Sequence, residues 1–302
     1  MKAEKLYDFV DPADAECVRR EVEISMKDYF PEYDGEIFNH AFEDVEKLFF
    51  GFYSGYQASN TKYHDFEHTC SVVLAMVRLI YGAMAEGVVF TEEECRKGLL
   101  ASLFHDVGLI QTTDDTQGTG AKYTVGHEER SIQFMRCNLD GILCEDDIED
   151  IADCIRCTIL AMSPRKVVFC TENMQAMGNF LGSADLLAQI ADRYYLEKLL
   201  LLFEEFEEAK LPGNGTALDL LMKTRSFYKD VARKRMDNDL GKADRYMEPY
   251  FKARWSVGRD LYAEAIERNL NYLDEILAGC KGDLDCFLLG LRRGDLSVDI
   301  LS

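Results

Sequence analysis

The sequence predicts an all-α protein on three observations: five prolines in 302 residues, a hydrophobic content of 47%, and apolar positions that recur at helical spacing along most of the chain. An apolar-rich chain with few breakers favours long helices over short strands and turns. A chain of this length buries a substantial core, as one large domain or two modest ones.

Taken in order, the pattern places a first helix from about Asp14 to Phe30, closed by Pro31, and a second from Gly35 to about Tyr56. A third covers Phe66 to Ala85, with Gly87 as its stop. Thr91 followed by Glu92, Glu93 and Glu94 reads as an N-cap with acids in the first turn, opening a helix through Leu99 to Phe104 that ends near His105. From Gln111 to Thr124 the composition turns to Thr, Asp and Gly, which predicts a loop long enough to be functional. Helices then follow from about His127 to Arg136, from Glu145 to Met162 before Ser163-Pro164, and from Asn173 to Phe206, with Gly178 and Gly182 as candidate interruptions. Pro212, Gly213, Asn214 and Gly215 punctuate the second half. They suggest a division into residues 1–210, a core with N-terminal helices, and residues 211–302, a C-terminal helical extension packed on that core. No repeat at solenoid periods is visible.

The formal net charge of −21 argues against a broad surface for a nucleic-acid backbone, so a phosphate ligand must be small and locally received. A bound divalent cation would invert the acidic field at that one place. The ten cysteines lack framework spacing and the N-terminus lacks a secretory pattern, which reads as reduced thiols in a cytoplasmic protein. Cys154 and Cys157 have metal-like spacing but lie in an apolar helical run with no second pair, and read as buried free thiols. No uninterrupted apolar run reaches the roughly 18 residues of a membrane span, so no membrane partner is expected. The acidic stretch Glu204-Glu205-Phe206-Glu207-Glu208 reads as a solvated helix face.

Histidine is scarce, and four of the five (His64, His68, His105, His127) fall within one stretch; His40 stands apart. His64 and His68 are four apart, on one face of a helix. His105 and Asp106 are adjacent after apolar Leu103-Phe104, and their joint use requires a helix end or turn, which Gly108 would supply. Asp185 sits in the apolar run Phe180 to Ile190, where a carboxylate is costly unless paired or bound to a cation; the alternative is a salt bridge to a basic residue or a place on an exposed face. Mixed imidazole and carboxylate donors suit Mg, Mn, Fe or Zn without selecting one.

In the order Tyr63-His64-Asp65-Phe66-Glu67-His68, His105-Asp106, Asp185, the chain resembles the HD-domain metal-dependent phosphohydrolase superfamily, over roughly residues 45–205. Its first motif is similar to the Tyr-His-Asn-x-x-His signature of class I cyclic-nucleotide phosphodiesterases. The resemblance implies an HD-type, phosphodiesterase-like helical bundle with extra terminal helices. It implies one or two divalent metal ions, with His68, His105, Asp106 and Asp185 as ligands of the first and Asp106 bridging to a second. It also implies hydrolysis of a small phosphoester, a nucleotide or cyclic nucleotide, in which His64 is the general acid that protonates the departing alkoxide and a cation activates water. His127, in Gly126-His127-Glu128, looks like the histidine that helps bind a second metal or the substrate; the alternative is a structural histidine opening a helix.

Two features depart from the phosphodiesterase pattern: Asp65 replaces the Asn of the first signature, and Leu109, Ile110 and Gln111 occupy the stretch where another His usually follows. Lys122, Arg130 and Arg193 are candidate phosphate receivers, and Asp192 a candidate outer-shell partner. Two other readings stand beside hydrolysis: a catalytically weak nucleotide-sensing module of the same fold, and a di-iron oxygenase on it. The sequence leaves the oligomeric state open.

Overall fold

The computed structural model describes residues 4–213 and 215–291, so Asn214 of the expected punctuation and the end of the expected extension, 292–302, lie outside the described residues. Helices make up the architecture, and no strand is present among the described residues. In chain order they are α1 (Ala15–Tyr29), α2 (Glu36–Phe49), α3 (Phe66–Ala85), α4 (Glu92–Phe104), α5 (His127–Leu139), α6 (Glu145–Arg156), α7 (Glu172–Ala191), α8 (Tyr195–Glu208), α9 (Ala217–Phe227), α10 (Arg233–Asn238), α11 (Met247–Trp255), α12 (Leu261–Cys280) and α13 (Leu284–Gly290). A π-helical turn, Tyr228–Ala232, joins α9 to α10.

The helix starts are those the local chemistry dictates. Thr91 and Glu94 form a reciprocal capping box: Thr91 Oγ1 accepts from the Glu94 amide at 3.1 Å, and Glu94 Oε2 accepts from the Thr91 amide at 2.8 Å. Asp65 caps α3 by accepting from the His68 amide at 2.8 Å, so His68 lies in the first turn of the helix while His64 precedes it, not on one helix face with His68 as their spacing predicts.

The helices differ from the sequence reading at three ends and in one interior, each with a physical cause. First, α2 stops at Phe49, and Gly51 then takes a left-handed φ of +78° that turns the chain away. Second, α6 stops at Arg156, because the carbonyls of Cys157, Ile159, Leu160 and Met162 accept from the guanidinium of Arg235 instead of from helix amides. Third, the run from Asn173 to Phe206 divides after Ala191, where Asp192 accepts from the Tyr194 amide at 2.7 Å and pairs with Lys198 at the same distance. Fourth, Gly178 and Gly182 do not interrupt α7; they admit Phe169 and the Cys157 carbonyl so close that a Cβ would stand 2.5 and 2.8 Å from them.

The apolar helices α3 and α7 pack against each other at the centre, with α1, α4, α6, α11 and α12 around them. One continuous core includes Phe42, Val73, Leu99, Phe104, Met177, Leu181 and Tyr250, all essentially buried. α3 has the length and composition to cross a membrane, with mean hydropathy of 1.4 over an 18-residue stretch, but 83% of that stretch is buried inside the protein. The C-terminal helices close on the same core: α11 lies on α3, and α12 on α7.

The cysteine expectation needs one correction. Cys280 and Cys286 form a disulfide. α12 ends at Cys280, Lys281 adopts a left-handed φ of +49°, and Asp283 starts α13, so the chain reverses and brings the two Cα atoms to 5.4 Å. Cys154 and Cys157 are buried free thiols, and burial pushes the Cys157 thiol up to about 12.

Candidate metal centre

Four elements deliver their polar side chains to one buried point. His68 comes from the first turn of α3, His105 and Asp106 from the end of α4, His127 from the first position of α5, and Asp185 from α7. His68 Nε2 lies 3.3 Å from Asp185 Oδ1 and 3.5 Å from Asp106 Oδ2. His105 Nε2 lies 3.1 Å from Asp106 Oδ2 and 4.0 Å from Asp185 Oδ1. Ligand atoms of His68, His105 and Asp185 all fall within 4.8 Å of one another. His127 Nε2 is 3.1 Å from the second oxygen of Asp106, which therefore stands between two groups of imidazoles.

The adjacent pair His105-Asp106 converges because the helix ends between them. His105 keeps helical dihedrals, Asp106 moves to φ −109° and ψ −1°, and a tight 3-10 turn, Val107–Leu109, follows. Ser131 on α5 locks this turn: its hydroxyl donates to the His105 carbonyl at 2.7 Å and accepts from the Gly108 amide at 2.8 Å. Gly108 contributes closeness of approach, since a Cβ there would sit 2.0 Å from the His127 carbonyl oxygen.

The imidazoles are oriented from behind. His105 Nδ1 donates to the Ser102 carbonyl at 2.8 Å, and His127 Nδ1 to the Thr124 carbonyl at 2.9 Å, which turns both Nε2 atoms inward. His105 Nε2 and Asp106 Oδ2 are fully buried and have no hydrogen-bond partner in suitable geometry. Two orphaned buried polar atoms 3.1 Å apart, one a nitrogen donor ligand and one an anion, are what a coordinated divalent cation satisfies. The residues fit the metal, and the nitrogen and oxygen donor set leaves its identity open.

Electrostatics point the same way. Burial opposes charge on His105, but Asp106 and Asp185 outweigh it and raise its pKa to about 9. Burial likewise favours neutral Asp106 and Asp185, yet the imidazoles hold both carboxyls below their ordinary range. The two carboxylates therefore favour positive charge at this point, whether an imidazolium or a cation carries it.

His64 stands beside this group, its ring 5.9 Å from that of His68 and 6.3 Å from that of His127. Its Nδ1 is 2.6 Å from Glu205 Oε2 on α8, and the other oxygen of Glu205 accepts from the Tyr63 amide at 2.7 Å. Burial disfavours the imidazolium, but the Glu205 carboxylate prevails and holds the His64 pKa above its ordinary value. Among the described residues His64 Nε2 has no protein partner, so a protonated His64 has one N–H to give to a ligand.

Glu205 is the residue the sequence reading misplaced. The acidic stretch on α8 is not simply a solvated face: Glu205 is 4% exposed, and Glu208 accepts from the amide and hydroxyl of Thr119 in the long loop. The signal that separates them is helical phase, because Leu201, Leu202 and Glu205 share the inward side.

The three basic residues expected to receive phosphate are occupied elsewhere. Lys122 pairs with Asp115 at 2.5 Å inside the 111–124 loop. Arg130 donates from Nε to the Gly108 carbonyl at 2.7 Å and stacks 3.6 Å from the Tyr123 ring centre, so it braces the turn behind the His105-Asp106 pair. Arg193 pairs with Asp11 at 3.1 Å, over the rings of Tyr7 and Tyr194. Asp192 holds Lys198 and does not reach the cluster. His40 is exposed near Asp44.

Comparison with protein-family models and with curated proteins finds no match for this chain.

Proposed function

We propose that the protein is a metal-dependent phosphoric ester hydrolase acting on a small phosphoester, with an HD-type helical core. The observation that carries this reading is the convergence of His68, His105, Asp106 and Asp185 with two orphaned ligand atoms in the middle. A divalent cation held there supplies Lewis acidity toward a phosphoryl oxygen and makes water nucleophilic near neutral pH. His127 faces the outer oxygen of Asp106 and would complete a position for a second ion or anchor the substrate.

The protein's own residues supply the rest. Glu205 fixes the His64 ring through Nδ1, keeps it charged into a higher pH range and leaves Nε2–H to protonate the departing alkoxide. Burial of His68, His105 and Asp106 strengthens their interactions, while Asp185 keeps the cluster open to a neighbouring cavity. With Lys122, Arg130 and Arg193 engaged elsewhere, His64 is the side chain that would offer positive charge to the phosphoryl group beside a bound cation. The sequence expectation of a nucleotide or cyclic nucleotide names the first substrates to try.

The test is elemental analysis of the purified protein together with a panel of phosphomonoesters and phosphodiesters, nucleotides included, assayed with and without a chelator. Phosphoester hydrolysis abolished by chelation and restored by one divalent metal is the expected result. Metal-free protein, or metal-bound protein that hydrolyses no ester in the panel, would overturn the proposal.

A further inference from the structure

A cavity of about 450 Å³ opens beside the cation ligands, between α7, α8, α9 and the π-helical turn, and Asp185 forms part of its wall. It therefore reaches the group whose Oδ1 lies 3.3 Å from His68 Nε2. Its volume is in the range of pockets that enclose small organic molecules. Leu186, Leu199, Leu202, Phe206, Leu220 and Phe227 dominate the lining.

Most polar side chains around it already hold partners within the protein. Thr158 donates to the Ile155 carbonyl, Thr224 to that of Leu220 and Ser226 to that of Lys223. Lys223 reaches the Gly213 carbonyl at 2.5 Å, Asp230 pairs with Lys234 at 2.9 Å, and Arg235 serves four carbonyls at the end of α6. Among the described lining residues, the Gln189 amide and the Tyr195 hydroxyl are left with no protein partner. Gln189 is one helical turn beyond Asp185 on α7.

We propose that this cavity receives the organic part of the substrate, and that this part is an apolar alcohol with at most one polar group near the phosphate, not a nucleoside. The inference rests on the phosphohydrolase reading and narrows its substrate class. A nucleoside brings ribose hydroxyls and a base edge with several donors and acceptors, and each one buried without a partner costs about 1–3 kcal/mol. Gln189 and Tyr195 are the side chains left to donate to a base edge, and the hydroxyls of Thr158, Thr224 and Ser226 can only accept, so a nucleoside would be matched poorly. An alkyl chain asks only for apolar surface, and each methylene buried gains about 0.8 kcal/mol.

The test uses the metal-loaded full chain with ethyl, hexyl and decyl phosphate below micelle-forming concentrations, alongside nucleoside monophosphates and cyclic nucleotides. kcat/KM should rise about threefold to fourfold per added methylene until the cavity is filled, the kinetic equivalent of that burial energy. Val231, 40% exposed at the rim, can be enlarged without disturbing the core. In Val231→Trp the decyl-to-ethyl ratio should collapse toward one. Equal kcat/KM across chain lengths, or a preference for nucleotides, overturns the inference and leaves the hydrolase reading standing. If no ester is hydrolysed, the hydrolase reading falls, and calorimetry with decyl phosphate decides the cavity separately: saturable binding lost in Val231→Trp supports it, and absence of binding overturns it.

Discussion

His64 and Glu205, 141 residues apart in the chain, meet in a 2.6 Å contact between Nδ1 and Oε2. The pairing raises the His64 pKa and lowers that of Glu205, and each shift is opposed by burial. A raised folded pKa for a histidine means that the pair's contribution to stability is full below the ordinary imidazole value of 6.5 and is lost as pH rises through the folded value. An imidazolium acting as the acid loses activity over the same rise. Glu205→Gln should therefore move the alkaline limb of the pH–rate profile to lower pH and reduce turnover roughly 10–100-fold, as loss of an orienting partner does. An unchanged alkaline limb would detach Glu205 from the chemistry.

Metal retention and turnover should separate by residue. Asp106 touches both imidazole groups, at 3.1 Å from His105 and 3.1 Å from His127, so Asp106→Ala should lose bound metal and activity together. His64→Ala should keep its metal and lose roughly 10²–10⁴-fold in turnover, the range for removing a general acid. Elemental analysis of the two variants beside their kinetics makes the comparison, and full activity in His64→Ala would remove it from the acid role.

Gly108 tests the turn that makes the adjacent ligands converge. A Cβ at this position meets the His127 carbonyl at 2.0 Å and the Ser131 amide at 2.6 Å, both backbone atoms that cannot rotate away. Gly108→Ala should cost about 1–3 kcal/mol through overpacking, or more if α5 is displaced. A fall in Tm accompanied by weaker metal binding is the expected pairing, since His127 is on the element that must move.

Arg235 tests why α6 ends where it does. Its guanidinium donates to the carbonyls of Cys157, Ile159, Leu160 and Met162, at distances from 2.8 to 3.2 Å. Arg235→Leu strands these acceptors and should cost ~3 kcal/mol on the scale of buried groups left unpaired. Hydrogen exchange should report the loss first in the segment that follows α6, with α3 and α7 protected until global unfolding.

The all-α architecture was written in the sequence, because helical propensity, capping and apolar period are local quantities that residues a few positions apart settle among themselves. Thr91 announces the start of α4, but the four-residue spacing of His64 and His68 does not place both on one helix: α3 starts at Phe66 behind its N-cap Asp65, so His64 precedes the helix. The gathering of His68, His105, Asp106 and Asp185 could be anticipated through the resemblance of their order along the chain to a known motif set; the cost of burying imidazole and carboxylate says only that each needs some partner. Tertiary structure alone decided the rest. It turned Glu205 out of an acidic run and onto His64, engaged Lys122, Arg130 and Arg193 away from the ligand cluster, ended α6 with an arginine from 78 residues further on, and paired Cys280 with Cys286. Each of these depends on which groups are brought within about 3 Å by packing of distant helices, and a charge at a given helical phase carries no local sign of whether its partner will be water, a neighbour or a catalytic ring.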